Sequence, residues 1–479
     1  MIKRGRKEGW LNRPIEAFSA WAEFNSVKFN GIRIGPMPGL EHRGSTVIAT
    51  RTLSGGKEDP LVIVPKDLII SRDNVDFFAK SDRHLKQVLE AAGDFGRTPR
   101  GAILIFLLLL ATNACPEIEN VGVLNPLSEY IKFLPDELLP TFWSEEEQEL
   151  LTGTSLKPAI RAKMNSLLRE FELLRTATES ITWCAKYWWD EDDGYLTFQD
   201  WMLVDAMYRS RALDFPGIGD CMCPCVDMAN HASGQETAAL YEADDDGNGL
   251  LLLRDQKDIS DSGEVSITYG DEKGACENIF SYGFIEDSVT SARAIFLDLT
   301  VPDDDPLRTA KLAINTAAPG FRISEVNDRV DWESDFIWLV VINEEDGLDF
   351  KLRQTVDGQR DIQAFWKEHE LNETSILKDV LSQDPLWDIY QLRAIVLLQS
   401  RIEAQLETLQ NFGNPAPEVS VGDVRYRLAE RLRHLEYETL QKASISFEDQ
   451  KGALIQSETV RRYLGLTEDI DDAEEVDFS

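Results

Sequence analysis

The chain has 479 residues, 43% of them hydrophobic and 28% charged, which is material for a folded protein of about two to four domains. Its 85 acidic and 49 basic side chains leave a formal net charge of −36. That balance excludes the lysine- and arginine-rich footprint of sequence-independent binding along a phosphate backbone, and it fits either attraction for a basic protein or solubility alone.

The first residues, MIKRGRKEGWLNRP, are basic, and no apolar core of signal-peptide type follows them. Residues 18 to about 100 read as short strands and turns: FNGIRIGPMPG and STVIATRTL are β-rich, and PLVIVPKDLII is a buried strand pair or strand-loop bounded by prolines. From Leu85 to about Phe171 the apolar spacing turns helical, in LKQVLEAAGDF, RGAILIFLLLLATN and PAIRAKMNSLLREFELLRTA. Between these, NPLSEYIKFLPDELL reads as a loop and short helix. The run AILIFLLLLA, residues 102–111, is too short to cross a bilayer and predicts a buried helix. An acidic turn in WWDEDDGYL precedes another helix, whose start signal is TFQD.

Residues 221–300 return to strand-like segments: AALYEA, GLLLLRD, GEVSITYG and SARAIFLDLTV. Beyond PDDDP (302–306) the pattern is mainly helical, as in LWDIYQLRAIVLLQSRIEAQLETLQ and VRYRLAERLRHLEYETLQKA. The last residues, TEDIDDAEEVDFS, hold too little apolar content to pack and are expected to form a disordered acidic tail. The order is β, an α insert, β, then α, with neither a βαβ alternation nor an internal repeat.

Six cysteines in so long a chain do not make a disulfide framework. They point to a reducing compartment, cytoplasmic or nuclear. Three of them alternate in CMCPCVDMANH, at Cys221, Cys223 and Cys225. Structural zinc wants four ligands, usually in two pairs, and only Cys276 and a few histidines remain to complete a set. Buried cysteines behave as small hydrophobes, so no metal is expected. A thiol nucleophile beside His231 would need a third orienting group that the segment does not identify. No nucleotide-binding glycine loop occurs, which removes kinase, ATPase and nicotinamide chemistry.

What remains is DMANH, Asp227 to His231, followed by TYGDEKGACENIFSYGF, residues 268–284, in which Tyr269 and Tyr282 each precede a glycine. At these residues the chain resembles the SET-domain protein methyltransferases, and among them the subfamily typified by the Rubisco large-subunit lysine methyltransferase. PCVDMANH, SRAL (210–213), EVSITYG, YGFIED and the insert stretch NPLSEYIKFLPDELLPTFWSEEEQELLTGTSL carry the resemblance in order. Two departures stand out. The first-lobe glycine pair reads GLEHRGSTVIA, with Gly44 alone in position, and the asparagine usual between the tyrosines is replaced by Ala275 or Cys276.

The resemblance implies an α+β fold: a β-rich SET domain interrupted by a helical insert and followed by a mostly α-helical C-terminal substrate-binding domain. The implied divisions are 18–100 and 196–301 for the SET domain, 101–195 for the insert, 302–466 for the helical domain and 467–479 for the acidic tail. It further implies S-adenosyl-L-methionine as cofactor and methyl transfer to a lysine of a non-histone protein. Tyr269 would be catalytic, Tyr241 and Tyr282 would line the lysine channel, and Asn230, His231, Asp227, Ser210, Arg211, Arg43 and Gly44 would hold the cofactor. Histidine methylation, or a non-catalytic SET scaffold, are the alternatives. The partner would be a protein, a basic one by charge, with no nucleic acid or membrane contact, and the enzyme a monomer.

Overall fold

The computed structural model describes residues 1–39, 43–56, 59–135, 139–190, 194–354, 360–371, 376–411 and 423–466. The acidic tail, the acidic turn at 191–193 and parts of GLEHRG and LPDELL lie outside the described residues. The chain divides into two units, one comprising Met1–Ser144, Pro158–Lys273 and Glu277–Glu286, the other Glu145–Lys157, Gly274–Cys276 and Asp287–Ser479.

Short extended runs build four small antiparallel sheets among the described residues of the first unit. The largest runs in the order Lys28–Phe29, Val62–Val64, Gly249–Leu253, Ala239–Ala243. Ile32–Pro36 pairs with Ser45–Ala49, and Leu53–Ser54 with Asp258–Ile259. Ile70–Ser71, Gly219–Met222 and Leu213–Phe215 form the fourth. In Gly249–Leu253 alternate residues are buried, the period a half-buried strand requires.

The AILIFLLLLA run lies in the helix Pro99–Ala114, with Thr98 as cap, Pro99 in its first turn and every residue from Gly101 to Thr112 buried. A helix apolar all round has no face to give to water, so it becomes the centre of its unit. The TFQD signal also operates as a start: Thr197 and Asp200 form a reciprocal capping box on the helix Phe198–Arg211. No described helix is long and apolar enough to cross a membrane.

Three segments differ from the strand pattern expected of them. Phe18–Phe24 is a helix, because Phe18 and Ala22, four apart, are both buried on one face. The helical stretch expected from Leu85 already starts at Arg72, where the Ser71 hydroxyl accepts the Asn74 N–H and caps Arg72–Ala79. GEVSITYG forms only isolated bridges, Glu264 to Ile48 and Ile267 to His231, and its other backbone bonds are scattered: Val265 N–H donates to Val47 and Ser266 C=O accepts from Ala238 and Ala239.

In the second unit the long helices Trp387–Asn411 and Asp423–Ile455 pack antiparallel, as shown by side-chain bonds from Gln399 to Glu448 and from Gln410 to Tyr437. Two three-stranded antiparallel sheets precede them: Ala294–Asp298, Gly320–Val326 and Arg329–Glu333, then Leu348–Gln354, Arg360–Trp366 and His369–Leu371. Helices remain the larger part beyond residue 302, as expected, but the strand segments there were not anticipated. Their alternation is short and broken by charges, which conceals it in sequence.

Glu436, on the second of these long helices, is fully buried and accepts the Ser155 N–H at 2.9 Å and the Ser155 hydroxyl at 2.5 Å. Burial raises its carboxyl from 4.5 to about 7. Because the folded value lies above the unfolded one, this group favours the fold below about pH 4.5 and loses that contribution as pH rises through about 7. Between about pH 5 and pH 8 the wild type should lose up to about 3 kcal/mol relative to Glu436→Gln, measured by urea denaturation. Parallel stability curves would show that Glu436 is charged at no such cost.

Candidate active site

A cavity of about 850 Å³ opens within the first unit. Of the residues singled out in sequence, Arg43, Gly44, Ser210, Arg211, Asp227, Asn230, Tyr269 and Tyr282 line it, whereas His231 and Tyr241 do not.

The last turn of Phe198–Arg211 delivers Ser210 and Arg211. The Ser210 hydroxyl donates back to its own helix, to Ala206 C=O at 2.8 Å. The Arg211 guanidinium donates to Asp227 C=O at 3.1 Å and stands 3.8 Å from the Asp227 carboxylate. Asp227 arrives from the other direction, by way of the cysteines. Cys221 lies in the strand Gly219–Met222, Cys225 takes a left-handed φ of 77°, and the chain turns into the short 3-10 helix Val226–Met228. All three thiols are fully buried. Burial pushes Cys221 up to about 12, and the other two well above the ordinary thiol range. A methyl group on Gly249 would come within 2.9 Å of the Cys223 sulfur, so the adjoining strand leaves the thiol its room. Among the described residues no group of three or more His, Cys, Asp and Glu side chains is placed to hold a metal.

The Tyr130 hydroxyl donates to the Asp227 carboxylate. Burial raises that carboxyl to about 6, against the opposing pull of Arg211 and the Tyr130 bond. Tyr130 comes from the NPLSEYIKF stretch, which thereby braces the DMANH turn; nothing in sequence distinguished it from a core aromatic.

Asn230 donates from Nδ2 to Glu264 Oε1 at 2.7 Å, and the same oxygen accepts the Thr46 hydroxyl at 2.7 Å. Arg43 stands 3.4 Å from Glu264 Oε2. Glu264 thus ties the first-lobe strand to DMANH, a role that a lone acidic residue in GEVSITYG does not announce. Gly44, beside Arg43, has φ 78°, and a Cβ there would meet nothing within 4 Å.

His231 acts on Tyr269. Its Nδ1 accepts the Tyr269 N–H at 2.9 Å, which leaves the proton on Nε2, 3.1 Å from Glu286 Oε1. The Ser233 hydroxyl donates to the same carboxylate. The rings of His231 and Tyr269 stack at 5.1 Å. The Tyr269 hydroxyl donates to Ala229 C=O at 2.8 Å, and its ring lies 4.5 Å from that of Tyr282. Tyr282 ends the helix Ala275–Tyr282 rather than standing on a strand, and its phenol is raised to about 12 by burial and Glu277. Tyr241 packs its ring 5.1 Å from Phe215, and its phenol is raised by burial first and by Tyr282 next.

No family model matches the chain. SET domain-containing protein 8 of Schizosaccharomyces pombe is 28% identical over 389 residues, spanning 78% of this chain and 83% of that protein. Actin-histidine N-methyltransferase of Drosophila melanogaster is 23% identical over 296 residues, 58% of this chain and 50% of that protein. Among solved structures, the SET domain of LSMT bound to MeLysine and AdoHcy aligns with a TM-score of 0.64 at 20% identity, over 96% of this chain and 98% of that one. Rubisco LSMT bound to AdoMet aligns with a TM-score of 0.61 at 20% identity, over 95% and 96%. The agreement covers almost the full length of both chains, and this chain therefore has the α+β SET fold of those LSMT structures.

Proposed function

We propose that this protein is an S-adenosylmethionine-dependent protein methyltransferase acting on a lysine side chain of a non-histone protein. The observation that carries the reading is the meeting, on one cavity, of two phenols 4.5 Å apart with Arg43, Arg211 and Asn230. The likeness to LSMT structures bound to AdoMet and AdoHcy supports the same cofactor here.

The residues fit that cofactor. Its carboxylate, amine, ribose and purine ask for cations, acceptors and flat apolar surface in one space. The cavity offers the guanidiniums of Arg43 and Arg211 beside Phe133, Leu134, Met228 and Phe284. Among the described residues Asp227 Oδ1 is buried without a side-chain or backbone partner at hydrogen-bond geometry, so it can accept from a ligand. The open left-handed turn at Gly44 leaves backbone accessible to a ligand.

When bound, S-adenosylmethionine supplies an electrophilic methyl group on a sulfonium. The chain must then bring a neutral amine into line, and positioning of that kind is worth roughly 7–11 kcal/mol in favourable cases. A lysine with an ordinary pKa near about 10.4 arrives protonated, and burial among Tyr269, Tyr282 and Tyr241 disfavours the ammonium. Tyr269 is assigned the central role because its hydroxyl is held by Ala229 C=O and its backbone by His231. We assign Arg211, Asp227, Asn230, Arg43 and Gly44 to the cofactor, His231 to positioning Tyr269, and Tyr282 and Tyr241 to the acceptor channel. Protein selection is assigned to residues 302–466, and the net charge of −36 favours a basic partner in cytoplasm or nucleus. A histidine acceptor is the second reading, favoured by the similarity to actin-histidine N-methyltransferase.

Calorimetric titration with S-adenosylmethionine, followed by mass spectrometry of proteins methylated in an extract, tests the reading and separates the two acceptors. Asn230→Ala removes the bond to Glu264 beside the cavity, and a lost buried hydrogen bond costs about 1–3 kcal/mol. Cofactor affinity should fall by roughly 10- to 100-fold. Wild-type affinity in that variant would take DMANH out of the cofactor site.

A further inference from the structure

The loop that joins the two tyrosines carries an amine of its own. Lys273 Nζ donates to Tyr282 Oη at 2.6 Å and lies 4.9 Å from the centre of the Tyr282 ring. Its stem is folded along the backbone at Gly270, where an added Cβ would meet Lys273 Cε at 3.3 Å. The residue is half-buried. Desolvation lowers its pKa, with Glu277 acting in the opposite direction. Tyr282 in turn lines the cavity and packs on Tyr269. Lys273 does not itself line the cavity, but its amine is bonded to the hydroxyl of a phenol that does.

We propose that Lys273 is a site of self-methylation, an internal lysine presented to Tyr282 by the loop that also carries Tyr269. The inference rests on the methyltransferase reading above. As donor to Tyr282, the neutral amine spends one N–H on the phenol oxygen and keeps its lone pair for attack. The ammonium first loses a proton to water. The nitrogen lone pair then forms the N–CH₃ bond while the S–CH₃ bond breaks, its electron pair passing to sulfur. The sulfonium becomes a neutral thioether, and the methylated ammonium releases its further proton to solvent. Because acceptor and site belong to one chain, the step needs no encounter, and its rate is independent of protein concentration.

The test uses the full chain, S-adenosylmethionine with an isotopically labelled methyl group, and peptide mass spectrometry, with cofactor binding measured by calorimetry on the same sample. The expected result is label on the Lys273 peptide, accumulating at a rate unchanged across a tenfold dilution, and complete loss of that label in Lys273→Arg. A second readout needs no turnover: in cofactor-free protein, Lys273 should react with an amine-acylating reagent at lower pH than the exposed lysines do. Cofactor binding without label on Lys273, label on Lys3 or Lys7 instead, or a rate that falls with dilution would each overturn the inference and leave the methyltransferase reading in place. Absence of cofactor binding would overturn both.

Discussion

Tyr269→Phe should lower kcat by roughly 10²–10³, equivalent to about 2.7–4 kcal/mol, with little change in KM or in cofactor affinity. The ring has supports that do not depend on its hydroxyl: the His231 stack at 5.1 Å, the Tyr282 contact at 4.5 Å and the backbone bond to His231 Nδ1. Removing the oxygen costs folding the Ala229 bond, about 1 kcal/mol. What it removes from the reaction is an oriented dipole. With its proton committed to Ala229 C=O, the phenol oxygen presents its remaining lone-pair density in a fixed direction, able to order a reacting amine. An interaction realised only near the transition state is lost from kcat rather than KM. The same change at Tyr282 should cost less, or alter how many methyl groups are added, since that phenol already holds the Lys273 amine. Turnover on a methylated target, measured for both variants, checks this; wild-type kcat in Tyr269→Phe would remove the residue from the centre of the mechanism.

Much of this architecture was legible because single physical signals are strong. The apolar run at 102–111 reads as a buried helix and TFQD as a helix start, and the fold has both. The DMANH and tyrosine segments were legible as a resemblance, and most of the residues they carried do line one cavity. Residues that work through another residue were not legible. Glu264, Glu286 and Tyr130 each take their meaning from a partner 34, 55 or 97 positions away. Neither period nor composition encodes a pairing of that range. The same limit applies to His231, whose motif position gave no sign of the backbone group it holds. In the fold its Nδ1 accepts the Tyr269 N–H.

Asp205 shows how far such a hidden partner can matter. Its carboxylate, 1% exposed, meets Arg100 at 2.7 Å, Lys163 at 2.7 Å and Arg209 at 3.4 Å, while Glu170 shares Arg100 at 2.9 Å. Burial alone would raise its pKa; the three cations outweigh burial and hold it below the ordinary 3.8. Asp205→Ala would leave three partly buried cations with Glu170 as their remaining acid in this cluster, and breaking a buried ion pair by removing one partner costs about 3–5 kcal/mol. The expected result is a loss of that size in urea denaturation near neutral pH, with Asp205→Asn losing somewhat less because the amide oxygen still accepts. The pH dependence follows from the depressed pKa: the stabilisation is present above the unfolded value and is lost as pH falls through the folded one, so wild type and variant should converge in acid. The consequence reaches the cavity, because Asp205 sits on the helix that ends in Arg211, and its neighbour Arg209 donates to Phe280 C=O at 2.7 Å on the helix that ends in Tyr282. Asp205→Ala should therefore weaken S-adenosylmethionine binding although it touches no ligand. A variant that is destabilised yet binds the cofactor with wild-type affinity would show that the ion network supports the fold alone, and that Arg211 is placed by the DMANH turn instead.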